Sequence, residues 1–195
     1  MRLFILFFLA AMSGCSIQGS LYESHGEYSI SGGSEGLDNR RPVSLEFIAY
    51  NSFYENLKET VLWMEINDAS HINVNNVGNI PFKIELRAKA NKKSIYFSGD
   101  TRLHIGNSLH HPLKTVIGTF SFDNGCTVNP NLDYYKTEIK YSNDQYEKTC
   151  AIYWFDVETP SPKEEFSLSM HISDNGIEKS VYVNFHGVKR EVFYH

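Results

Sequence analysis

Apolar and polar residues alternate along most of the chain after residue 42, the period-two pattern of β-strands that bury one face. The clearest case is IPFKIELRAKA at residues 80–90. Its apolar set is Phe82, Ile84, Leu86 and Ala88, and its charged set is Lys83, Glu85, Arg87 and Lys89. This stretch predicts a strand with a solvated outer face. A turn at residues 91–93 and a returning strand in SIYFSG are predicted to complete a hairpin.

Further strands are predicted on both sides of this hairpin. One alternating stretch covers residues 43–50, and TVLWMEI at 60–66 is apolar enough for a strand buried on both faces. Between them, residues 51–59 are predicted to hold one helical turn with Ser52 as its cap. Later strands are predicted at 115–122, 148–157, 166–172, 180–185 and 188–194, with Asp-Asn-Gly turns at 123–125 and 174–176.

These patterns predict an all-β fold: a single antiparallel β-sandwich of about eight or nine short strands over residues 43–195. An immunoglobulin-like topology fits the strand count. However, Cys126 and Cys150 are too close in sequence for the bridge of antibody domains, and Trp154 follows the second cysteine. Residues 15–42 are rich in Gly and Ser, which predicts a flexible tether. The alternative is that residues 28–30 dock as an edge strand.

Residues 1–14, MRLFILFFLAAMSG, are laid out like a secretory signal peptide, with Arg2 before a short apolar run and small residues after it. The run of about ten residues is too short for a membrane-spanning helix, which needs ~20. The alternative is a buried N-terminal helix or strand. The stretch Met12-Ser13-Gly14-Cys15 resembles the lipobox of bacterial lipoprotein precursors, with Met12 where that class usually has Leu.

The resemblance implies cleavage before Cys15 and acylation of both its thiol and the new amine, so that chains such as palmitate hold the protein on a membrane. Ser16 then stands where an Asp would favour inner-membrane retention in enteric-type bacteria, so the outer membrane is the expected location. The alternative is an ordinary cleavage site followed by a chance cysteine.

Composition limits the number of domains and the classes of ligand that the chain is expected to have. The chain has 195 residues, 42% of them hydrophobic, which leaves enough for one domain with a core after the leader is removed. The formal net charge of -5, without any Lys/Arg run, argues against nucleic-acid binding. In an exported domain, Cys126 and Cys150 are expected to form a disulfide. Two free thiols or a metal pair are the alternatives.

Candidate catalytic groups are scattered and match no common motif, since GxSxG, SxxK and HExxH are absent. Among the histidines, His110 and His111 would point to opposite faces of a strand, so they and His104 are interpreted as surface residues without a metal. The acidic candidates for a hydrolase pair are Asp100, Asp123, Asp156, Glu158 and Glu165. We expect no enzyme activity and no cofactor, with a hydrolase as an alternative.

Aromatic residues concentrate around the proposed disulfide. Tyr134, Tyr135, Tyr141 and Tyr146 lie between the two cysteines, and Tyr153, Trp154 and Phe155 follow the second one. The last three are expected mainly to pack the two faces of a strand. A closed loop rich in Tyr and Asn suits protein recognition, so we expect an accessory, assembly or inhibitor/immunity factor that binds an envelope protein. The alternative is glycan or peptidoglycan binding, in which sugars stack on exposed aromatics such as Trp63 or Trp154.

Overall fold

The computed structural model describes residues 16–31, 44–61, 64–66, 75–90, 95–97, 100–121, 125–128, 147–174 and 177–194. Within these ranges the regular secondary structure is entirely β-strand. The strands are β1 (Ser16–Ser31), β2 (Ser44–Ala49), β3 (Phe53–Val61), β4 (Met64–Ile66), β5 (Phe82–Ala90), β6 (Ile95–Phe97), β7 (Arg102–Ile105), β8 (Ser108–His110), β9 (Lys114–Ser121), β10 (Gly125–Val128), β11 (Glu147–Phe155), β12 (Phe166–Asp174) and β13 (Ile177–Tyr194). No helix in the described part of the chain is long and apolar enough to cross a membrane.

The thirteen strands form one hydrogen-bonded sheet whose strand pairs are antiparallel. The main order is β10-β9-β11-β5-β2-β1-β13-β12-β7-β8, while β3 pairs with β1, β4 with β3, and β6 with β12. The predicted all-β antiparallel class is therefore confirmed, with more strands than the eight or nine expected. The sandwich and the immunoglobulin-like topology stay predictions.

The core lies between two halves of this sheet. Phe82 on β5 meets Phe166 on β12 edge-on, with ring centroids 5.4 Å apart, although three strands separate β5 from β12 in the sheet order. Phe166 also stacks on Phe185 of β13 at 4.6 Å. Such contacts require the sheet to fold back on itself, so that alternate residues of β2, β5, β11, β12 and β13 share one apolar cluster. Burying each large side chain contributes about 1.5–3 kcal/mol relative to leaving it exposed.

Strand β5 confirms the clearest sequence prediction, but its outer face is not solvated throughout. Glu85 is 1% exposed, between Ile48 of β2 and Ile152 of β11 in the register. The Tyr50 hydroxyl and the Arg87 guanidinium both donate hydrogen bonds to its carboxylate. Because β5 is an interior strand, Glu85 meets the neighbouring strands rather than water, and the prediction of a solvated side chain was wrong at this position.

The predicted hairpin between β5 and SIYFSG is also wrong. Strand β6 pairs with β12, where Phe97 lies opposite Ile172. Both edges of β5 are already occupied by β2 and β11, so no edge is free for β6. The predicted turn at residues 91–93 lies outside the described residues.

Residues 53–61 form strand β3 instead of the predicted helical turn. The strand pairs with the first part of β1, and the ring of Phe53 stacks on Tyr22 at 5.1 Å. The register shifts between Gln18 and Ser20, which marks a bulge. Opposite this shift, Asn56 has a φ of 55°, a left-handed conformation that Asn adopts more readily than most residues. The apolar stretch 60–66 contributes the end of β3 and all of β4, and Trp63 lies outside the described residues.

The first half of the predicted tether is a strand. Residues 16–31 form β1, which pairs with β13 from Ile17 opposite Tyr194 to Ser31 opposite Ser180. It lies inside the sheet rather than at an edge, with β2 and β3 on its other side. The Gly- and Ser-rich composition suggested a coil because few apolar residues mark a buried face here. The tether prediction was therefore wrong for residues 16–31, and residues 32–42 lie outside the described part.

Candidate functional site: the cleft between β1 and β2

A cleft of about 560 Å³ opens where β1 and β2 separate. The two strands pair at one position, His25 opposite Ile48, whereas the first half of β1 pairs with β3 instead. The chain leaves β2 at Ala49 and enters β3 at Phe53, so one strand edge is shared by two partners that diverge. The cleft is the space between β1 and β2 beside this divergence.

The corner between β2 and β3 is fixed by a buried amide. Asn51 is fully buried, and its Nδ2 donates to Ser24 Oγ at 2.9 Å and to the Pro160 carbonyl at 3.2 Å. The backbone N–H of Tyr50 donates to the Lys83 carbonyl. These bonds join β1, β5 and the connection before β12, so the corner that shapes the cleft is rigidly placed.

One wall of the cleft carries a cluster of three charged or titratable side chains from β1 and β13. Arg190 Nε donates to Glu23 Oε1 at 2.9 Å. His25 Nε2 lies 3.0 Å from the same carboxylate oxygen and 3.0 Å from Arg190 Nη2. A single ring nitrogen either donates to Glu23 or accepts from Arg190, so the tautomer and charge of His25 decide which partner it binds.

Tyr50 also lines the cleft, and its hydroxyl donates a hydrogen bond to the buried Glu85. Burial, together with the hydrogen bond and negative charge of Glu85, raises the pKa of Tyr50. Tyr50 therefore stays a neutral hydrogen-bonding group at physiological pH. Arg87 binds Glu85 through Nε at 2.7 Å and lies 3.7 Å from Glu46, which also lines the cleft.

This arrangement suits recognition of a polar ligand. The walls offer donors on Arg190 and acceptors on Glu23, Glu46 and the Tyr50 hydroxyl oxygen, the mixture that hydroxyl-rich ligands need. Glu23 and Glu85 are each held by an arginine.

A second cavity, of about 510 Å³, lies on β7, β12 and β13. It is lined by His104, Glu165, Asn184 and His186, among others. His104 Nε2 lies 3.3 Å from Ser169 Oγ, and His186 Nε2 lies 4.0 Å from a Glu27 oxygen. In the part of the chain that the structure describes, no group of three or more His, Cys, Asp or Glu could hold a metal ion.

The predicted disulfide between Cys126 and Cys150 is confirmed, with a Cα–Cα distance of 5.9 Å. It joins β10 to β11, which pair with opposite edges of β9. In a flat sheet, two strands on either side of a third lie about 10 Å apart. The shorter distance requires the sheet to bend sharply at β9, and the bridge fixes this bend.

The other predicted site residues are only partly described. Cys15 and the candidate partner-binding residues Tyr134, Tyr135, Tyr141 and Tyr146 lie outside the described residues, as does Asp123. Asp156, Glu158 and Glu165 are exposed in the connection between β11 and β12. Asp100 is exposed and pairs with Arg102 at 2.8 Å, and the hydrogen bond from Arg102 lowers the pKa of its carboxyl.

The aromatic residues that follow Cys150 divide between two faces, as the strand pattern predicts. Tyr153 and Phe155 are buried in the core, whereas Trp154 is half-buried on the other face. Lys114 Nζ lies 5.4 Å from the centre of the Trp154 ring. Trp154 is thus partly available to a ligand, while its two neighbours are not.

Sequence reasoning missed the residues of the β1–β2 cleft. Glu23 and His25 fall in the segment predicted to be a tether, and Arg190 is 165 positions from His25. The available signal was local: Glu23, His25 and Glu27 occupy alternate positions, as on one face of a strand. Comparison with protein families, curated proteins and solved structures gave no match for this chain.

Proposed function

We propose that the mature protein is a lipoprotein of the bacterial cell envelope, anchored through Cys15 in the outer membrane, that binds another envelope protein. In this role it is an accessory, assembly or inhibitor/immunity factor. The anchor rests on the lipobox-like sequence Met12-Ser13-Gly14-Cys15. Strand β1 begins at Ser16, so the folded domain starts next to the proposed acylation site.

One observation carries the binding part of the proposal: large aliphatic side chains are exposed around the connection from β8 to β9. Leu113 is 71% exposed, Ile80 59% and Leu109 48%. The backbone N–H of Leu113 donates to the Trp154 carbonyl, and Ile80 lies two residues before Phe82, the first residue of β5, which pairs with Phe155. Leu113 and Ile80 therefore lie at the same end of the sheet. We define Ile80 and Leu113 as the aliphatic end surface, a composition that favours a protein partner.

The segment between Cys126 and Cys150 is a second candidate contact surface. The disulfide ties its two ends to β10 and β11, on either side of β9. A loop with fixed ends loses less conformational entropy on binding than a free one. Tyr134 and Tyr135 are the residues of this segment proposed to touch the partner.

Capture from intact envelopes tests both surfaces. Cells expressing the tagged full-length protein are briefly cross-linked and gently solubilised, and co-purified proteins are identified by mass spectrometry. We expect one stoichiometric partner, lost either in the double variant Leu113→Ser, Ile80→Ser or in Tyr134→Ala, Tyr135→Ala. The matched control is Tyr182→Ser, because Tyr182 is 52% exposed on the other half of the sheet.

Two results would contradict the proposal. One is a partner captured equally well by both double variants after their folding is confirmed by thermal unfolding. The other is the absence of any stoichiometric protein. The anchor is tested separately by Cys15→Ser, which should release the protein from the membrane fraction.

The β1–β2 cleft favours a second candidate function, binding of a glycan or peptidoglycan fragment. Its volume of about 560 Å³ and its polar walls suit a short sugar chain. Isothermal titration with soluble peptidoglycan fragments should then give heat that Arg190→Ala abolishes and Arg102→Ala, an exposed arginine outside the cleft, leaves unchanged. A hydrolase that uses a carboxylate pair is a further alternative, and no pair in the cleft favours it over binding.

A further inference from the structure

We infer that the domain stands upright on the bilayer, with Phe193 at the lipid surface and the apolar core held away from it by β1 and β13. This inference rests on the proposed acylation of Cys15 and deepens it by naming the part of the fold that meets lipid. The supporting part of the molecule is residues 16–24, 53–61 and 187–194, which we call the distal ribbon. Its members are the first half of β1, strand β3 and the last part of β13.

The proposed acylation site is adjacent to the first strand of the fold. Residue 15 is followed immediately by Ser16, the first residue of β1, so no flexible segment separates them. Gln18 lies opposite Phe193 in the register. Three residues of strand span about 10 Å, so acyl chains on Cys15 bring Phe193 within the headgroup region of the membrane.

The exposure of Phe193 is otherwise unexplained. Its side chain is 61% exposed at the end of a strand and belongs to no apolar cluster among the described residues. Aromatic rings are enriched at the boundary between hydrocarbon and water. A lipid surface beside the first residues of β1 covers this ring without any further protein.

Charges along the distal ribbon favour an upright orientation. Lys189, Arg190 and Glu191 are exposed directly before Val192 and Phe193. Lys189 pairs with Glu191 at 2.7 Å, and Arg190 pairs with Glu23. Laying the ribbon flat would press these charged groups into the bilayer at considerable desolvation cost, whereas standing it on end leaves them in water.

The base of the distal ribbon is braced against the core. A Cβ at Gly187 would come within 2.2 Å of the Pro162 carbonyl oxygen, so the backbone of β13 lies directly under the connection before β12. The next residue, Lys163, bonds to Glu55 at 2.6 Å and lies 4.4 Å from the Tyr22 ring centre. These contacts hold the base of the ribbon to the core.

The geometry predicts a steep difference in lipid contact along β13. Tyr182 lies opposite Ser29, and Phe193 lies opposite Gln18, eleven residues away on both strands. At ~3.3 Å per residue, about 36 Å separate the two positions. Both side chains are aromatic and more than half exposed, so Tyr182 is a matched control on the same strand.

Photocross-linking in living cells tests this difference. The full-length protein is made with p-benzoylphenylalanine in place of either Phe193 or Tyr182, in cells whose phospholipids carry radioactive phosphate. After irradiation, we expect a radiolabelled protein–lipid adduct at position 193 and only background at position 182. Label at both positions, or at neither, would overturn the upright orientation.

A parallel mass measurement separates this inference from the function on which it rests. If the purified protein carries acyl chains on Cys15 but gives no adduct at position 193, the upright orientation is wrong and the proposed anchor is retained. If the purified protein carries no acyl chains, both the proposed anchor and the orientation that depends on it are wrong.

Discussion

Strand β13 runs through both the core and the distal ribbon, and it is stabilised differently in the two regions. In the core, β13 contributes Val181, Val183 and Phe185 to an apolar cluster, each at most 1% exposed. In the distal ribbon, the same strand presents Lys189 and Glu191 to solvent. The ribbon is held mainly by backbone pairing, a few ion pairs and the Tyr22–Phe53 stack. A strand can thus extend well beyond the core that stabilises it, provided that the strands paired with it extend equally far.

This difference implies a gradient of stability along β1 and β13. Exposed ion pairs contribute only about 0–1 kcal/mol each, whereas buried large side chains contribute several times more. We therefore expect the distal ribbon to open locally more often than the core, and the variants below test this contrast.

The largest effect is expected from Phe166→Ala in the core. Phe166 is 4% exposed and contacts both Phe82 and Phe185, so truncation leaves a cavity between the two halves of the sheet. We expect the free energy of unfolding to fall by about 3–5 kcal/mol, measured by urea denaturation. Phe193→Ala in the ribbon is the control, with an expected change of no more than about 0.5 kcal/mol. Equal losses of unfolding free energy in the two variants would contradict the expected difference in stability between the core and the ribbon.

Loss of the disulfide should have the next largest effect. Cys126 and Cys150 are separated by 24 residues, and the loop-entropy relation then gives about 3.5 kcal/mol of stabilisation. The double variant Cys126→Ser, Cys150→Ser should lower the urea midpoint accordingly. Amide exchange should rise mainly on β9 and β11, and it should rise little in the ribbon. An effect confined to the ribbon would contradict the position of the bridge.

A smaller effect is expected where the two regions join. The added Cβ of Gly187→Ala meets backbone at Pro162, not the end of a flexible side chain, so the connection before β12 must move. Overpacking of this kind costs about 1–3 kcal/mol. Faster amide exchange should spread from residue 187 through the ribbon while Val183 stays protected. The control is Ser29→Ala at an exposed position of β1, where we expect no change.

The smallest effect is a pH dependence confined to the ribbon. Hydrogen bonds from Lys163 to Glu55 and from Lys189 to Glu191 lower the pKa of each carboxyl below its usual value of 4.5. A lowered pKa in the folded state adds stability above pH 4.5, and this stability disappears as the pH falls through the lowered value. Amide exchange, corrected for its intrinsic pH dependence, should therefore rise in the ribbon relative to the core on acidification. In Glu55→Gln, the part of this dependence that belongs to β3 should vanish.

Sequence patterns predicted those parts of the fold in which local periodicity and burial agree. Strands β2, β5, β9, β11 and β12 lie close to their predicted positions, and the disulfide between Cys126 and Cys150, which was predicted on the premise of export, is present. The two predicted strands at 180–185 and 188–194 are one continuous β13. Alternation shows which face of a strand is apolar, and that much can be determined from one segment alone.

Partner choice was decided only in the tertiary structure. Nothing in SIYFSG indicates that β6 pairs with β12 rather than with β5, since this depends on β2 and β11 occupying both edges of β5. The burial of Glu85 has the same origin. So does the strand from Ser16 to Ser31, whose polar sequence is stabilised by pairing with residues more than 140 positions away. The β1–β2 cleft follows in turn, because it exists only where one strand edge is shared by two partners. Hydrogen bonding between strands joins residues distant in sequence, and a pattern read along one segment carries no information about the neighbour that segment meets.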